Sequence, residues 1–416
     1  MHLHISTKQI FFRRFRTAGL FFALLKSLNH NQGAISGEVF RIWVLDMVRL
    51  RSSSNSQEND GNSDELIPGL PEEIAELCLL HVPYPYQALA RSVSSSWNKA
   101  ITDPSFLLSK KILSLSQPYL FVFASSKSTS RIQWQALDPR SGRWFVLPPM
   151  PCSAAACPPG LACASLPEDG KLFVLGDLRS DGTSLHTTIM YRASTNQWSL
   201  ASPMRTPRTF FAAGSINGKI FAAGGRGLGV EDSIPTVERY DPVSDTWAAV
   251  AKMRSGLARY DAAVVGNKLY VTEGWTWPFS FSPRGGVYDA DRDTWQEMSL
   301  GMREGWTGIS VVLRNRLFVL SEYGDCRMKV YVPDHDTWHP VGGGRFPCEA
   351  LQRPFAVSTM EDRIYVVSRG LHVAVGKVHE TVEASQSHHL WVEWEVMAAP
   401  IAFSDFSPCN CQPLSA

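Results

Sequence analysis

Chemistry in this chain of 416 residues would have to come from a few stretches, and residue type and spacing weigh each one. GGRGLG at 224–229 has the glycine density of a phosphate loop, but no helical periodicity follows it, so no helix dipole would back the cradle. His388 and His389 precede Trp391 in a polar run with no carboxylate or thiol at ligand spacing, which reads as a solvated loop. There is no G-x-S-x-G elbow and no H-E-x-x-H pair. The eight cysteines (Cys78, Cys152, Cys157, Cys163, Cys326, Cys348, Cys409 and Cys411) form neither a C-x-x-C pair nor a zinc-type Cys/His pattern. The expectation is therefore no catalytic residue, no metal and no cofactor. What remains is recognition chemistry, the chemistry of Arg and aromatic side chains gathered on a surface.

Those side chains sit on a repeat. Segments of the form Lys/Arg-Leu/Ile-Phe/Tyr start at Lys171, Lys219, Lys268, Arg316 and Arg363, a spacing of 47 to 49 residues. After each of the first four, a Tyr precedes a Trp by seven positions: Tyr191/Trp198, Tyr240/Trp247, Tyr288/Trp295 and Tyr331/Trp338. Leu137/Trp144 repeats the offset earlier, and a last unit ends at Trp394. Each unit holds four strands, joined by hairpin dipeptides such as Asn217-Gly218, Gly266-Asn267 and Asp169-Gly170 and by Pro/Asp/Ser-rich turns before the Trp. Six such units describe a mainly β fold, a six-bladed β-propeller over residues 117–410. The first unit lacks an innermost strand before Pro118, and the run 401–406 is expected to supply it and clasp the ring. The repeat-end tryptophans are assigned to core packing because they recur at fixed offset.

Strand direction alternates within a blade. Loops after the second strand therefore share a face with the linkers leading into the next blade. That face collects Arg208, Arg259, Glu273, Trp275, Trp277, Glu304, Trp306, Tyr323 and Arg353, the candidate target-binding residues.

Ahead of the propeller, residues 66–110 read as a small helical domain. Pro71 opens a helix with Glu72 and Glu73 in its first turn, and Pro83 and Pro85 stop it. A second helix is expected over 86–93, and a third holds Trp97 and Ile101 before Pro104. So few residues bury too little surface to stand alone without a metal, a disulfide or a partner, which favours a partner. The order Leu70-Pro71, Ile74, Cys78-Leu79, Val82-Pro83, Val93, Trp97 and then D-P-x-F resembles the F-box motif, over 70–106. It departs where the usual Val-Cys-Lys-x-Trp is Val93-Ser94-Ser95-Ser96-Trp97. Tyr-x6-Trp with Gly224-Gly225 resembles the kelch repeat, in degenerate form. Over residues 64 to 410 the chain resembles plant F-box/kelch proteins, with stretches such as LIPGLPEEIAELCLL and EGWTGISVV.

The resemblance implies a three-helix F-box domain that docks a Skp-type adaptor through Leu70, Pro71, Ile74, Cys78, Leu79, Val82, Pro83, Val93 and Trp97. It further implies a cullin–RING ubiquitin ligase reached through that adaptor, an unidentified protein target on the propeller, and a role in far-red light signalling. A kelch scaffold without a ligase role, and a propeller enzyme needing ligands converging from several blades, are the alternatives.

Composition sets the remaining bounds. Hydrophobic residues at 44% and charged residues at 19% suit a packed protein rather than a disordered one. Lys+Arg 40 against Asp+Glu 39 is too even for a chain whose main task is gripping nucleic acid. Scattered thiols without a secretory signal point to nucleus or cytoplasm. Residues 1–37 hold no Asp or Glu and several Arg, but their apolar uncharged run, 17–25, is short of the roughly 20 residues that span a bilayer. Two readings stay open for this start: an organelle transit peptide, or an extension upstream of a true start at Met47. Residues 1–65 are expected to be largely disordered, the polar run before the helices acting as a linker.

Overall fold

The computed structural model describes residues 65–151, 160–178, 184–227, 233–258, 261–274, 282–321, 327–382 and 388–416. The expectations for residues 1–64 lie outside these. The chain divides into a helical unit ending at Gln117 and a β unit built from 118–192 and 197–415.

The helical unit has four short helices: α1 (Glu72–Leu80), α2 (Tyr86–Ala90), α3 (Ser95–Thr102) and α4 (Pro104–Ile112). The third and fourth abut. Asp103 ends α3, and its carboxylate accepts the Ser105 amide at 2.8 Å as the N-cap of α4, with Pro104 in the first turn. The expected stop at Pro104 is thus also a start, and it adds a helix to the three anticipated. The departure at Ser94 has a physical reason: its Oγ accepts the Trp97 amide at 3.0 Å and caps α3. One core holds Ala75, Leu79, Leu80, Val82, Ala90, Val93, Trp97, Ile101 and Phe106. Trp97 donates its indole N–H to the Leu66 carbonyl, which ties the segment before α1 to α3.

The β unit is a six-bladed propeller, mainly antiparallel. Blades 2 to 5 take four strands each in sequence order, over 162–201, 212–250, 261–297 and 308–340. Blade 6 (356–397) gains a fifth, parallel edge strand, Gly342–Gly343. Blade 1 (118–146) receives its innermost strand from the far end of the chain, Phe406–Ser415, paired antiparallel with Pro118–Ser126 along its length. The innermost strands touch in cyclic order, which closes the ring. The clasp exists, but five residues later than expected and running to Ser415 rather than 410; 401–403 form a 3-10 turn instead. Pro408 and Pro413 disguise the strand. An innermost strand keeps an unpaired edge, where a residue without an N–H is tolerated.

The repeat spacing has a structural cause. Each Tyr packs on its Trp, with ring centroids 5.0 to 5.4 Å apart. Each Trp donates to a carbonyl of the linker before its own blade: Trp198 to Pro148, Trp247 to Ser202, Trp295 to Ala251 and Trp338 to Met302. In blades 3 to 5 an Asp two residues before the Trp completes the staple. Asp245, Asp293 and Asp336 accept the Tyr hydroxyl at 2.6 to 2.8 Å and, in the same carboxylate, a linker amide. All three are left-handed, with φ 51, and Asn196 takes the same turn in blade 2 with φ 49, a conformation Asn and Asp enter most readily among non-glycines. The Tyr240 hydroxyl and the Ser202 amide hold the Asp245 carboxyl below its ordinary range; the Ala251 amide and Tyr288 do so for Asp293.

Asp405 makes a comparable knot at the clasp, accepting from Ser126 Oγ at 2.5 Å, Ser128 Oγ at 2.6 Å and the Ser128 amide at 3.0 Å. Ser126 first, then Ser128, pull its pKa down to about 2 from an ordinary 3.8. A depressed carboxyl stabilises the fold above its unfolded pKa and loses that effect as pH falls through the folded value. The contribution of Asp405 should therefore be complete above about pH 4 and gone near pH 2. Acid titration followed by tryptophan fluorescence should show a shallower loss in that window for Asp405→Asn; a superimposable curve would count against the knot.

Candidate functional site

Two surfaces have the character of docking sites, one in each unit. On the helical unit, α1 buries Ala75, Cys78, Leu79 and Leu80 but turns Ile74 and Leu77 outward, each 39% exposed. Pro71 is exposed, so positions 71, 74 and 77 follow one another at i, i+3 spacing as an apolar stripe on the solvent side, with the half-buried Leu70, packed in part on the core, at its edge. Leu89 of α2 and Leu108 and Ile112 of α4 are exposed as well.

This divides the expected adaptor contacts. Leu70, Pro71, Ile74 and, in part, Pro83 reach solvent. Cys78, Leu79, Val82, Val93 and Trp97 lie in the core, and burial pushes the Cys78 thiol up. A buried side chain cannot meet a partner directly, so these five support the surface from beneath. The helical spacing puts Ile74, Leu77 and Cys78 on one stripe; the structure exposes Leu77, which was not among the expected adaptor contacts, and buries Cys78.

The loop face of the propeller also differs from expectation. Arg208 is fully buried. Its guanidinium donates to Glu238 Oε1 at 2.6 Å, to the Gly224 carbonyl at 3.0 Å and to the Thr236 carbonyl at 2.8 Å. Glu238, 2% exposed, also accepts the amides of Arg205 and Thr206. Burial pulls Arg208 below its usual range and Glu238 pushes back, leaving a charged pair. Trp306 is likewise fully buried, donating to Asp261 at 3.0 Å and packing edge-on against Trp338. Both are corrections: they lock linkers to blades and present nothing to a target. Glu273 is half-buried, held bidentate by Arg284 at 2.8 and 2.7 Å. Glu304 and Arg353 are exposed. Arg259, Trp275, Trp277 and Tyr323 lie outside the described residues.

Exposed on that face instead are Phe210 and Arg226, which sequence reasoning passed over. The Arg226 guanidinium sits 5.9 Å from the Phe210 ring centroid. Gly224-Gly225 serve packing here. A Cβ on Gly224 (φ +68) would stand 2.4 Å from the Leu257 carbonyl oxygen, and one on Gly225 (φ +94) 2.5 Å from that of Thr209. Among the described residues no group of three His, Cys, Asp or Glu is placed to hold a metal, and no helix is long and apolar enough to cross a membrane.

Comparison with known proteins bears on both units. The F-box domain family matches residues 67–109, and the kelch motif matches 207–254, the segment that holds Arg208, Gly224-Gly225, Tyr240 and Trp247. F-box protein AFR of Arabidopsis thaliana is 54% identical over 360 residues, spanning 86% of this chain and 95% of that one. An F-box/kelch-repeat protein of the same plant is 39% identical over 396 residues, 95% of this chain and 98% of that one.

The chain belongs to the F-box/kelch-repeat family.

Within this F-box/kelch chain, the F-box match ends inside α4, so the additional helix falls largely within the domain. The kelch match falls on the blade with Gly224-Gly225 after its second strand, where the backbone passes too close to its neighbours for a side chain.

Proposed function

We propose that this chain is the substrate-recognition subunit of an SCF-type ubiquitin ligase. The F-box would hold a Skp-type adaptor, and through it a cullin–RING assembly, while the propeller presents the target. The observation that carries this is the stripe of Pro71, Ile74 and Leu77, an exposed apolar surface at helical spacing outside the unit's own core, with the half-buried Leu70 at its edge. Family membership supports the same reading. The chain then acts by proximity, raising the effective concentration of target at the transfer site, and contributes no acid, base or nucleophile. We assign it to the nucleus or cytoplasm.

The test is co-purification of the full chain with a Skp-type adaptor, and its loss when the stripe is charged. A chain that retains propeller targets but never holds the adaptor would instead be an interaction scaffold. The pathway we propose is far-red light signalling. Seedlings lacking the chain should then grow abnormally long hypocotyls under far-red light alone, and wild-type lengths there would overturn that assignment.

A further inference from the structure

Around the top of blade 3, four segments are laced by backbone hydrogen bonds. Thr209 and Arg226 exchange N–H···O bonds of 3.0 and 2.7 Å, Ile234 N donates to Gly225 O, Gly225 N to Leu257 O, and Met253 N to Pro235 O. The buried Arg208–Glu238 pair sits beneath them. The lacing makes a rigid platform out of loops, and what it carries outward is Arg205, Arg226, Lys252 and Arg254, all exposed. The described parts of these segments, 202–211, 224–227, 233–236 and 251–258, contain no Asp or Glu. Glu231 and Asp232 fall in 228–232, outside the described residues.

Phe210 lies beneath one of these cations, Arg226, and is 38% exposed with φ 51. A bulky residue in the left-handed region is strained backbone, and Phe211 beside it is fully buried. The turn at 210 sends one Phe out while its neighbour fills the core. Strain held by a rigid surround, together with an outward aromatic under an Arg, are features that cluster at recognition sites.

We infer that this platform is where the propeller grips its target, and that the gripped segment is an acidic peptide carrying an apolar or aromatic side chain for Phe210. The inference rests on the receptor reading above and adds the chemistry of the partner. Charge complementarity argues for it: exposed arginines on a preformed surface whose described parts hold no acid attract and orient carboxylates. A nucleic acid fits less well, because the chain as a whole is nearly neutral.

The test uses the full chain co-expressed with its adaptor and a short fluorescein-labelled peptide in which Asp and Glu flank a central Leu-Trp, read by fluorescence polarisation. The peptide should bind, more weakly as salt rises, and a version with Lys in place of the acids should not. Arg205→Glu with Arg226→Glu should weaken binding at least about tenfold. Phe210→Gly, which relieves the strained turn and so should not lower the melting temperature, should still lose affinity about fivefold or more. Arg292→Glu with Arg363→Glu, exposed on the opposite face, should change little.

Failure of the acidic peptide to bind, equal binding of the Lys version, indifference to the platform variants, or tighter binding of an RNA oligonucleotide of equal charge would each overturn the proposal. Adaptor co-purification in the same preparation separates the two claims. Adaptor held without peptide bound removes the acidic target and leaves the receptor reading standing; peptide bound without adaptor does the reverse.

Discussion

Ile74→Asp with Leu77→Asp should abolish co-purification with a Skp-type adaptor while leaving the protein folded. Both side chains lie outside the buried core of the helical unit, so charging them removes little folding free energy. In a complex they would have to enter an apolar interface. Burying each is worth about 1.5–3 kcal/mol as a large aliphatic, and burying an unpaired carboxylate there is unfavourable in addition. Affinity should fall at least about 100-fold, near 2.7 kcal/mol. Co-expression and affinity capture read the loss, and circular dichroism with thermal melting checks the fold. Leu79→Ala makes the contrasting control. Leu79 is fully buried, and its truncation should destabilise the helical unit by about 2–5 kcal/mol and impair capture only through unfolding. Trp97→Ala belongs to the same class, since Trp97 is 1% exposed. Retention of the adaptor by the folded double variant would overturn the ligase-receptor reading.

The second large effect is expected from Arg208→Ala in the propeller. Removing the guanidinium strands Glu238, 2% exposed, as a buried charge facing no cation, and takes donors from the Gly224 and Thr236 carbonyls. Breaking one side of a buried pair typically costs about 3–5 kcal/mol. For a propeller of this size that should lower the melting temperature by roughly 10 °C, at about 2–4 °C per kcal/mol. Glu238→Gln should be milder, because Arg208 keeps the Gly224 and Thr236 carbonyls as acceptors, although the single amide oxygen can serve only one of the two positions that now accept the Arg205 and Thr206 amides. A fall under about 2 °C for Arg208→Ala would mean the pair contributes far less than its geometry implies. The same variant also tests the platform, since the loops above it would lose their rigid base.

Local patterns made much of this protein legible. Hairpin dipeptides, alternating strands and the Tyr-x6-Trp offset act over a few residues, so six blades could be counted from letters alone. The offset persists because Tyr packs on Trp in blades 2 to 5, and in blades 3 to 5 the turn carboxylate of Asp245, Asp293 or Asp336 staples the pair. The fourth helix was hidden because Pro104 signals an end and a beginning alike. The closing strand was hidden because its prolines are tolerated only at an edge, and edges exist only once the ring is built.

Which candidate residues face solvent was settled by tertiary structure alone. Arg208 and Arg226 are the same residue type in the same blade, yet one is sealed against Glu238 and the other lies open over Phe210. Phe210 and Phe211 are adjacent and identical, and a single left-handed turn sends one outward and the other into the core. Composition cannot make that distinction. It depends on where distant segments pass over each residue, because burial is decided by packing between blades and not by the chain's own neighbours.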